Sequence, residues 1–218
     1  MNKKRIIIVG TGEHARMVFD NVMDSKGYEV FGFVTNLAEE IGLRIYNVPV
    51  LCLDSQVKQL LQENKDIIGF ISGIGVQNMQ LRARIAANYE TILPAVNIIH
   101  PSCSISRFAE YGYGNVFEAY TKIANGVKIS NHCIINSFSA VNHDQFIDNN
   151  VLIAGSVSMA GKSIGYNTII ADGASIGFKK RVGSNCIIGD GSVVTHDIPD
   201  NSIAYGNPAR IVRKLSSD

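Results

Sequence analysis

The 218-residue chain lacks three features, each of which would have pointed to a class of function. It has no surplus of charge: 20 Lys and Arg stand against 19 Asp and Glu, and a net charge of +1 argues against a general nucleic-acid binder with a basic face. It has no long apolar run. Met-Asn-Lys-Lys-Arg leads into Ile6 to Val9, but Gly10 ends that run too early for a signal peptide, and no stretch approaches the about 20 apolar residues of a membrane span. The expectation is a soluble, cytoplasmic protein. It also has no clustered metal ligands. Cys52, Cys103, Cys133 and Cys186 are too far apart for a zinc motif, and no three histidines show a spacing that demands a metal. No serine or cysteine sits in a nucleophile elbow, so acyl transfer, if the chain performs it, would proceed by direct attack of the substrate.

What the chain does have is an apolar residue at every sixth position. Ile99, Ile105, Tyr111, Phe117, Ile123, Ile129, Ile135, Val141, Ile147, Ile153 and Met159 share one phase, which resumes after a one-residue slip at Ile164, Ile170, Ile176, Val182, Ile188 and Val194. Neither a helix nor an amphipathic strand has this period. It predicts a hexapeptide β-helix in which each hexad makes a short strand and a turn, three hexads close a triangular coil, and about five to six coils stack. Beat residues point inward. Small residues four places later, including Cys103, Cys133, Ser139, Thr168 and Cys186, fill a second position of the hexad, so three of the cysteines read as packing. Asn125-Gly126 and Asp172-Gly173 suit corners that need positive φ.

Residues 1–97 read as a small Rossmann-like α/β domain with a parallel sheet, and residues 98–218 as the β-helix with a short basic tail; His100-Pro101 marks the joint. Strands are expected at residues 4–9, 28–34 and 66–72, and helices at 13–23, 54–64 and 77–89. The turn Gly10-Thr11-Gly12-Glu13-His14-Ala15 fits a G-x-G-x-x-A pattern, whose glycines let backbone approach a phosphate. Where a dinucleotide fold wants an acid at the end of its second strand, this chain has Thr35-Asn36. That disfavours nicotinamide chemistry and leaves two readings, another phosphorylated ligand or a structural turn. Ser72-Gly73-Ile74-Gly75 forms a second such turn, followed by Asn78, Arg82 and Arg84. These residues are either an ordinary turn with solvated arginines or the far wall of the same crevice.

Among five histidines, His143 stands out because it sits two places after a beat residue with Asp144 beside it. One coil away the same column holds only Asn125 and Gly161, which leaves space next to the imidazole. The pair suits a general base with a carboxylate partner, and it equally suits a polar corner. His14 is a ligand candidate, while His100, His132 and His196 read as solvated corner residues. Gly177-Phe178-Lys179-Lys180-Arg181 is a charged turn or a phosphate contact.

Taken in order, the Ile7-Ile8-Val9-Gly10-Thr11-Gly12-Glu13-His14 start, Gly32-Phe33-Val34, Gly73-Ile74-Gly75, His100-Pro101-Ser102, Val141-Asn142-His143-Asp144, Ala160-Gly161 and Gly206-Asn207-Pro208-Ala209 resemble the PglD/NeuD-type sugar acyltransferases of the hexapeptide-repeat superfamily. The resemblance implies a left-handed parallel β-helix and a homotrimer with active sites between subunits. It implies acetyl-CoA as co-substrate with no metal, and N-acetylation of a UDP-linked amino-deoxysugar in surface-glycan biosynthesis. His143 would be the catalytic base and Asp144 its acidic partner. Cofactor contacts would fall at Gly161, Ala171, Asp172, Gly189 and Asp190, and nucleotide-sugar contacts at Gly12, Glu13, His14, Thr35, Asn36 and Gly73. Relatives commonly carry a second histidine nine residues after the first, where this chain has Leu152, and an acidic pair where it has Thr35-Asn36. The alternatives are O-acetylation of a sugar hydroxyl, as in a sialic acid, and a non-catalytic nucleotide-sugar-binding scaffold.

Overall fold

A computed structural model describes residues 3–75 and 79–215, and the chain divides into two compact units, Met1–Pro101 and Ser102–Asp218.

The first unit is built on β1 (Lys4–Val9), α1 (Glu13–Asp24), β2 (Tyr28–Thr35), β3 (Arg44–Ile45), β4 (Val48–Leu53), α2 (Val57–Glu63), β5 (Ile67–Ser72) and α3 (Met79–Glu90). The sheet order is β3-β4-β2-β1-β5, with β4, β2, β1 and β5 parallel. β1 is an interior strand, paired with β2 and β5, and both of its faces are apolar. Ile7 and Val9 join Val34, Val57, Phe70, Tyr89 and Leu93 in one buried cluster, while Ile6 and Ile8 alternate to the opposite face and are fully buried there. The sheet is not wholly parallel as expected: it also contains β4 and the antiparallel hairpin that joins it to β3, neither of which is among the expected strands. Tyr46 and Asn47 both take positive φ (47° and 66°), the conformation of a tight two-residue hairpin turn, but Tyr-Asn lacks the Asn-Gly signature that would announce one. The helix expected at 77–89 is observed over Met79–Glu90, and Asn78 lies outside the described residues.

In the second unit every hexad forms a two-residue strand, and each strand pairs in parallel with the strand one coil on. Three sheets result: one runs from Ser104–Ile105 to Val193–Val194, one from Glu110–Tyr111 to Arg181–Val182, and one through Val116–Phe117, Ile134–Ile135 and Leu152–Ile153 to Ser202–Tyr205, where Arg210–Lys214 adds an antiparallel edge. The beat residues form the interior. Phe117, Ile135, Val141, Ile147, Ile153, Met159, Ile164, Ile170, Ile188 and Val194 are fully buried. Tyr111, in the first coil, departs from the pattern at 40% exposure and packs edge-on against Phe117. The small positions do more than pack. Ser139 Oγ, Thr168 Oγ1 and the Cys133 and Cys186 thiols donate to carbonyls of Ala154, Gly183, Asp148 and Pro199, absorbing backbone acceptors at the turns.

Corner residues recur at positive φ in three columns. One is Gly114, His132, Asn150, Asn167, Asn185 and Asn201. There Asn150 donates through its side chain to Asn167, and Asn167 to Asn185, at 2.8 and 2.9 Å, so the amides stack as a ladder along the coils. His132 is not a solvated corner as expected: it is 8% exposed and packs edge-on against Tyr113. The ring fits because Gly114 has no Cβ, which would overlap the imidazole.

Candidate active site

In the first unit the two glycine turns meet. Gly10 takes φ +108°, and a Cβ there would lie 3.3 Å from the Gly73 backbone; a Cβ on Gly73 would lie 2.7 Å from Ala15 Cβ and 2.9 Å from Ala15 Cα. The turns after β1 and β5 and the first turn of α1 therefore close on one another only because both residues are glycine. This is the carboxyl edge of a parallel sheet, at the strand from which connections leave in both directions, where α/β folds bind ligands. Gly12 caps α1 without a side-chain hydrogen bond, so the cap residue itself offers no side-chain acceptor to the leading N–H groups of the helix. Glu13 and Asn36 are exposed, and Thr35 is buried at the end of β2.

His14 is half-buried, and its Nε2 is sealed from solvent without a partner among the described residues. Burial first, and then the positive charge of Arg82, push the imidazole down to about 4. Arg82 itself is fully buried, which corrects the reading of this helix as carrying solvated arginines; Arg84 is the exposed one. The depressed value has a sign. An unfolded histidine takes its proton near pH 6.5, while folded His14 refuses it until about pH 4, so stability is complete above pH 6.5 and falls as pH drops through that window. Urea unfolding at stepped pH should show the wild type losing up to about 3 kcal/mol more than His14→Gln between pH 6.5 and 4. Parallel pH curves would rule this out.

In the second unit, His143 Nδ1 lies 2.9 Å from Asp144 Oδ2, with both side chains exposed. A carboxylate accepts only, so Nδ1 carries the proton and Nε2 is left as the acceptor. Asp144 holds positive φ (57°), which turns its side chain back alongside the ring. The pair borders a cleft of about 580 Å³ lined by Asn142, His143, Asp144, Ala160, Gly161, Lys162, Phe178 and Lys179. Lys179 Nζ stands 5.2 Å from the centre of the exposed Phe178 ring at its rim.

The slip in the beat creates this cleft. Phe146 pairs with Ser163, and Leu152 with Ile169, so this coil spans 17 residues where its neighbours span 18. The missing residue belongs to the positive-φ column of Gly126, Asp144 and Lys179: between Gly161 and Lys162 that position does not exist. At intact corners the positive-φ residue donates its N–H to the coil below, as Asp144 does to Asn125 O (3.0 Å) and Asn150 to Asn131 O (2.9 Å). Above His143 there is no such residue, and among the described residues its carbonyl receives no such bond. Gly161 has no room for a side chain, since a Cβ would lie 2.8 Å from Lys180 O and 2.9 Å from Ile176 Cγ2.

The remaining expected site residues fall elsewhere. Of the five cofactor positions only Gly161 shares the corner of His143. Ala171, Asp172, Gly189 and Asp190 follow strands of another sheet and line a different corner, where Asp172 accepts from Gly155 N–H at 2.9 Å and a Cβ on Gly189 would overlap the Tyr205 ring. Leu152 is 5% exposed, pairs with Ile134 and Ile169, and does not line the cleft. Among the described residues no group of three or more side chains could hold a metal, and no helix is long and apolar enough to cross a membrane. Glu40, which belongs to none of the sequence motifs, sits at the ends of β1 and β2, where its carboxylate accepts from Thr11 and Thr35.

An α/β unit with paired glycine turns, followed by stacked hexads with a histidine–carboxylate pair at a shortened corner, defines the chain as a hexapeptide-repeat protein with a left-handed parallel β-helix. Residues 5–89 match the family described as the PglD N-terminal domain. Across both units the chain is similar to a mutant of perosamine N-acetyltransferase from Caulobacter crescentus, solved with CoA and GDP-perosamine: 25% identity, 96% of this chain and 97% of that one, TM-score 0.86. It is also similar to the acetyltransferase domain of PglB from Neisseria gonorrhoeae, solved with acetyl coenzyme A: 25% identity, 97% and 100% coverage, TM-score 0.84. A shorter stretch is 51% identical over 51 residues to dTDP-3-amino-3,6-dideoxy-alpha-D-galactopyranose 3-N-acetyltransferase of Aneurinibacillus thermoaerophilus, 23% of either chain. The matches span about a quarter of the length of the curated relatives.

Proposed function

We propose that the chain is an acetyl-CoA-dependent N-acetyltransferase acting on a nucleotide-linked amino-deoxysugar in glycan biosynthesis. The observation that carries this reading is the His143–Asp144 pair beside a cleft opened by the loss of one corner residue. The first unit holds the nucleotide at the Gly12, Glu13, His14, Thr35, Asn36 and Gly73 edge. UDP is the nucleotide that the motif resemblance favours, and the Caulobacter relative, solved with GDP-perosamine, widens the choice. At the corner of His143, Nε2 takes a proton from the sugar amine as nitrogen attacks the thioester carbonyl. The C–N bond forms, the C–S bond breaks, and the proton passes to the departing CoA thiolate. Asp144 holds the ring in the competent tautomer and stabilises its charged form. For the thioester end of the co-substrate, Gly161 offers backbone in this cleft, and Phe178 and Lys179 offer a ring face and a cation.

Gly161 on one side, and Ala171, Asp172, Gly189 and Asp190 on the other, stand at separate corners of one chain. A co-substrate touching both sets would need a second copy, which supports a homotrimer with sites between subunits. Thiol release from acetyl-CoA, measured against UDP-, GDP- and dTDP-linked amino sugars and free sialic acids, tests the proposal. Release with an amino sugar, yielding the N-acetyl product, is expected. Release only with a hydroxyl acceptor makes the chain an O-acetyltransferase, and no release from any acceptor makes it a binding protein.

A further inference from the structure

The absent acid at the end of β2 is replaced from a distance. Thr35, the last residue of β2, is 2% exposed, and its hydroxyl donates to Glu40 Oε2 at 2.5 Å while accepting from Leu37 N–H at 3.1 Å. Thr11, inside the Gly10-Thr11-Gly12 turn, donates to the same Oε2 at 2.6 Å. β1 and β2 are neighbours in the sheet, so one carboxylate joins their two carboxyl ends, arriving from the short 3-10 turn Ala38–Glu40. The geometry is one-sided: Oε2 takes both threonine hydroxyls, and Oε1 has no donor among the described residues. A carboxylate offers about four acceptor sites, and two short bonds from threonines fix its rotamer before any ligand arrives.

We infer that Glu40 is a specificity residue of the proposed nucleotide site, its Oε1 accepting hydrogen bonds from the ribose hydroxyls of a nucleoside diphosphate. Three placements converge on that chemistry. The carboxylate lies beside the glycine turn suited to phosphate, it occupies the edge where α/β folds grip a ribose, and its second oxygen, without a donor among the described residues, can only accept, which matches a diol. The inference rests on the nucleotide reading of the first unit and goes further, because it predicts discrimination between sugars of the nucleotide itself. A Glu40 that merely pinned the 3-10 turn to the sheet would affect stability and leave that discrimination untouched.

The test is calorimetric titration of the full chain with UDP, 2′-deoxy-UDP, GDP and 2′-deoxy-GDP, repeated for Glu40→Gln and Glu40→Ala. The wild type should bind each ribonucleotide about tenfold or more tightly than its 2′-deoxy counterpart, as expected of a hydrogen bond to a charged acceptor. Both variants should bring the ratio to within about threefold of unity. Equal binding of ribo and deoxy forms by the wild type overturns the inference without needing either variant to fold, and so does a preference that survives in both variants; each leaves the nucleotide site standing. No binding of any of the four overturns the nucleotide site and the inference together.

Discussion

Replacing His143 with alanine should lower the rate of thiol release by about 10²- to 10⁴-fold, the range over which a positioned general base contributes. Both the imidazole and Asp144 are exposed, and neither fills a core position, so the loss should appear in kcat with thermal stability nearly unchanged. Asp144→Asn should cost less. The amide can still approach Nδ1, but it no longer selects the tautomer that leaves Nε2 unprotonated, nor offsets the charge the ring acquires. Single-turnover thiol release, read beside melting curves for both variants, checks the assignment. If His143→Ala kept most of its turnover, the base would have to lie elsewhere.

The second large effect should come from an insertion. Adding one asparagine between Gly161 and Lys162 restores an 18-residue coil and supplies the positive-φ residue that the column of Gly126, Asp144 and Lys179 lacks. Its N–H would meet the His143 carbonyl and its side chain would enter the cleft. Turnover should fall at least about 10²-fold, since displacing reacting groups by an ångström suffices for that. The fold should tolerate the change, because repeat architectures gain stability from each regular coil added to its neighbours. Loss of activity with an unchanged or raised melting temperature is the expected pair of results. Full activity would show that the shortened corner plays no part in binding.

The β-helix was legible because its constraint repeats: a coil this narrow admits only apolar or small side chains, and Ile135, Val141 and Ile153 announce that at every turn. Even the slip could be counted in the sequence. Its place just after Gly161 was legible too; that the missing residue is the positive-φ one in the column of Asp144 was not, because that needed the pairing of Phe146 with Ser163. The same arithmetic separates Gly161 from Ala171 and Gly189, residues that a linear motif list treats as one set. In the first unit the strands showed themselves through apolar runs, but the hairpin around Tyr46 and Asn47 rested on turn conformations that side chains did not advertise. Glu40 was hidden for a different reason. It lies in an irregular stretch, and only the chain path returns it to Thr11 and Thr35.

The hairpin of Ser202–Tyr205 and Arg210–Lys214 bears on how the stack avoids polymerising. A column of parallel coils ends in strand edges whose unmet backbone groups would template another copy of themselves. Here the outermost strand runs antiparallel to the rest, and all five of its residues are exposed. Three of them, Arg210, Arg213 and Lys214, are cationic, and Lys214 Nζ folds back to Ser202 Oγ at 2.9 Å. Along this sheet a second molecule approaching end-on would meet a strand of reversed polarity that carries three cations. On this sheet it is an edge of the charged kind that blunts strand-to-strand pairing.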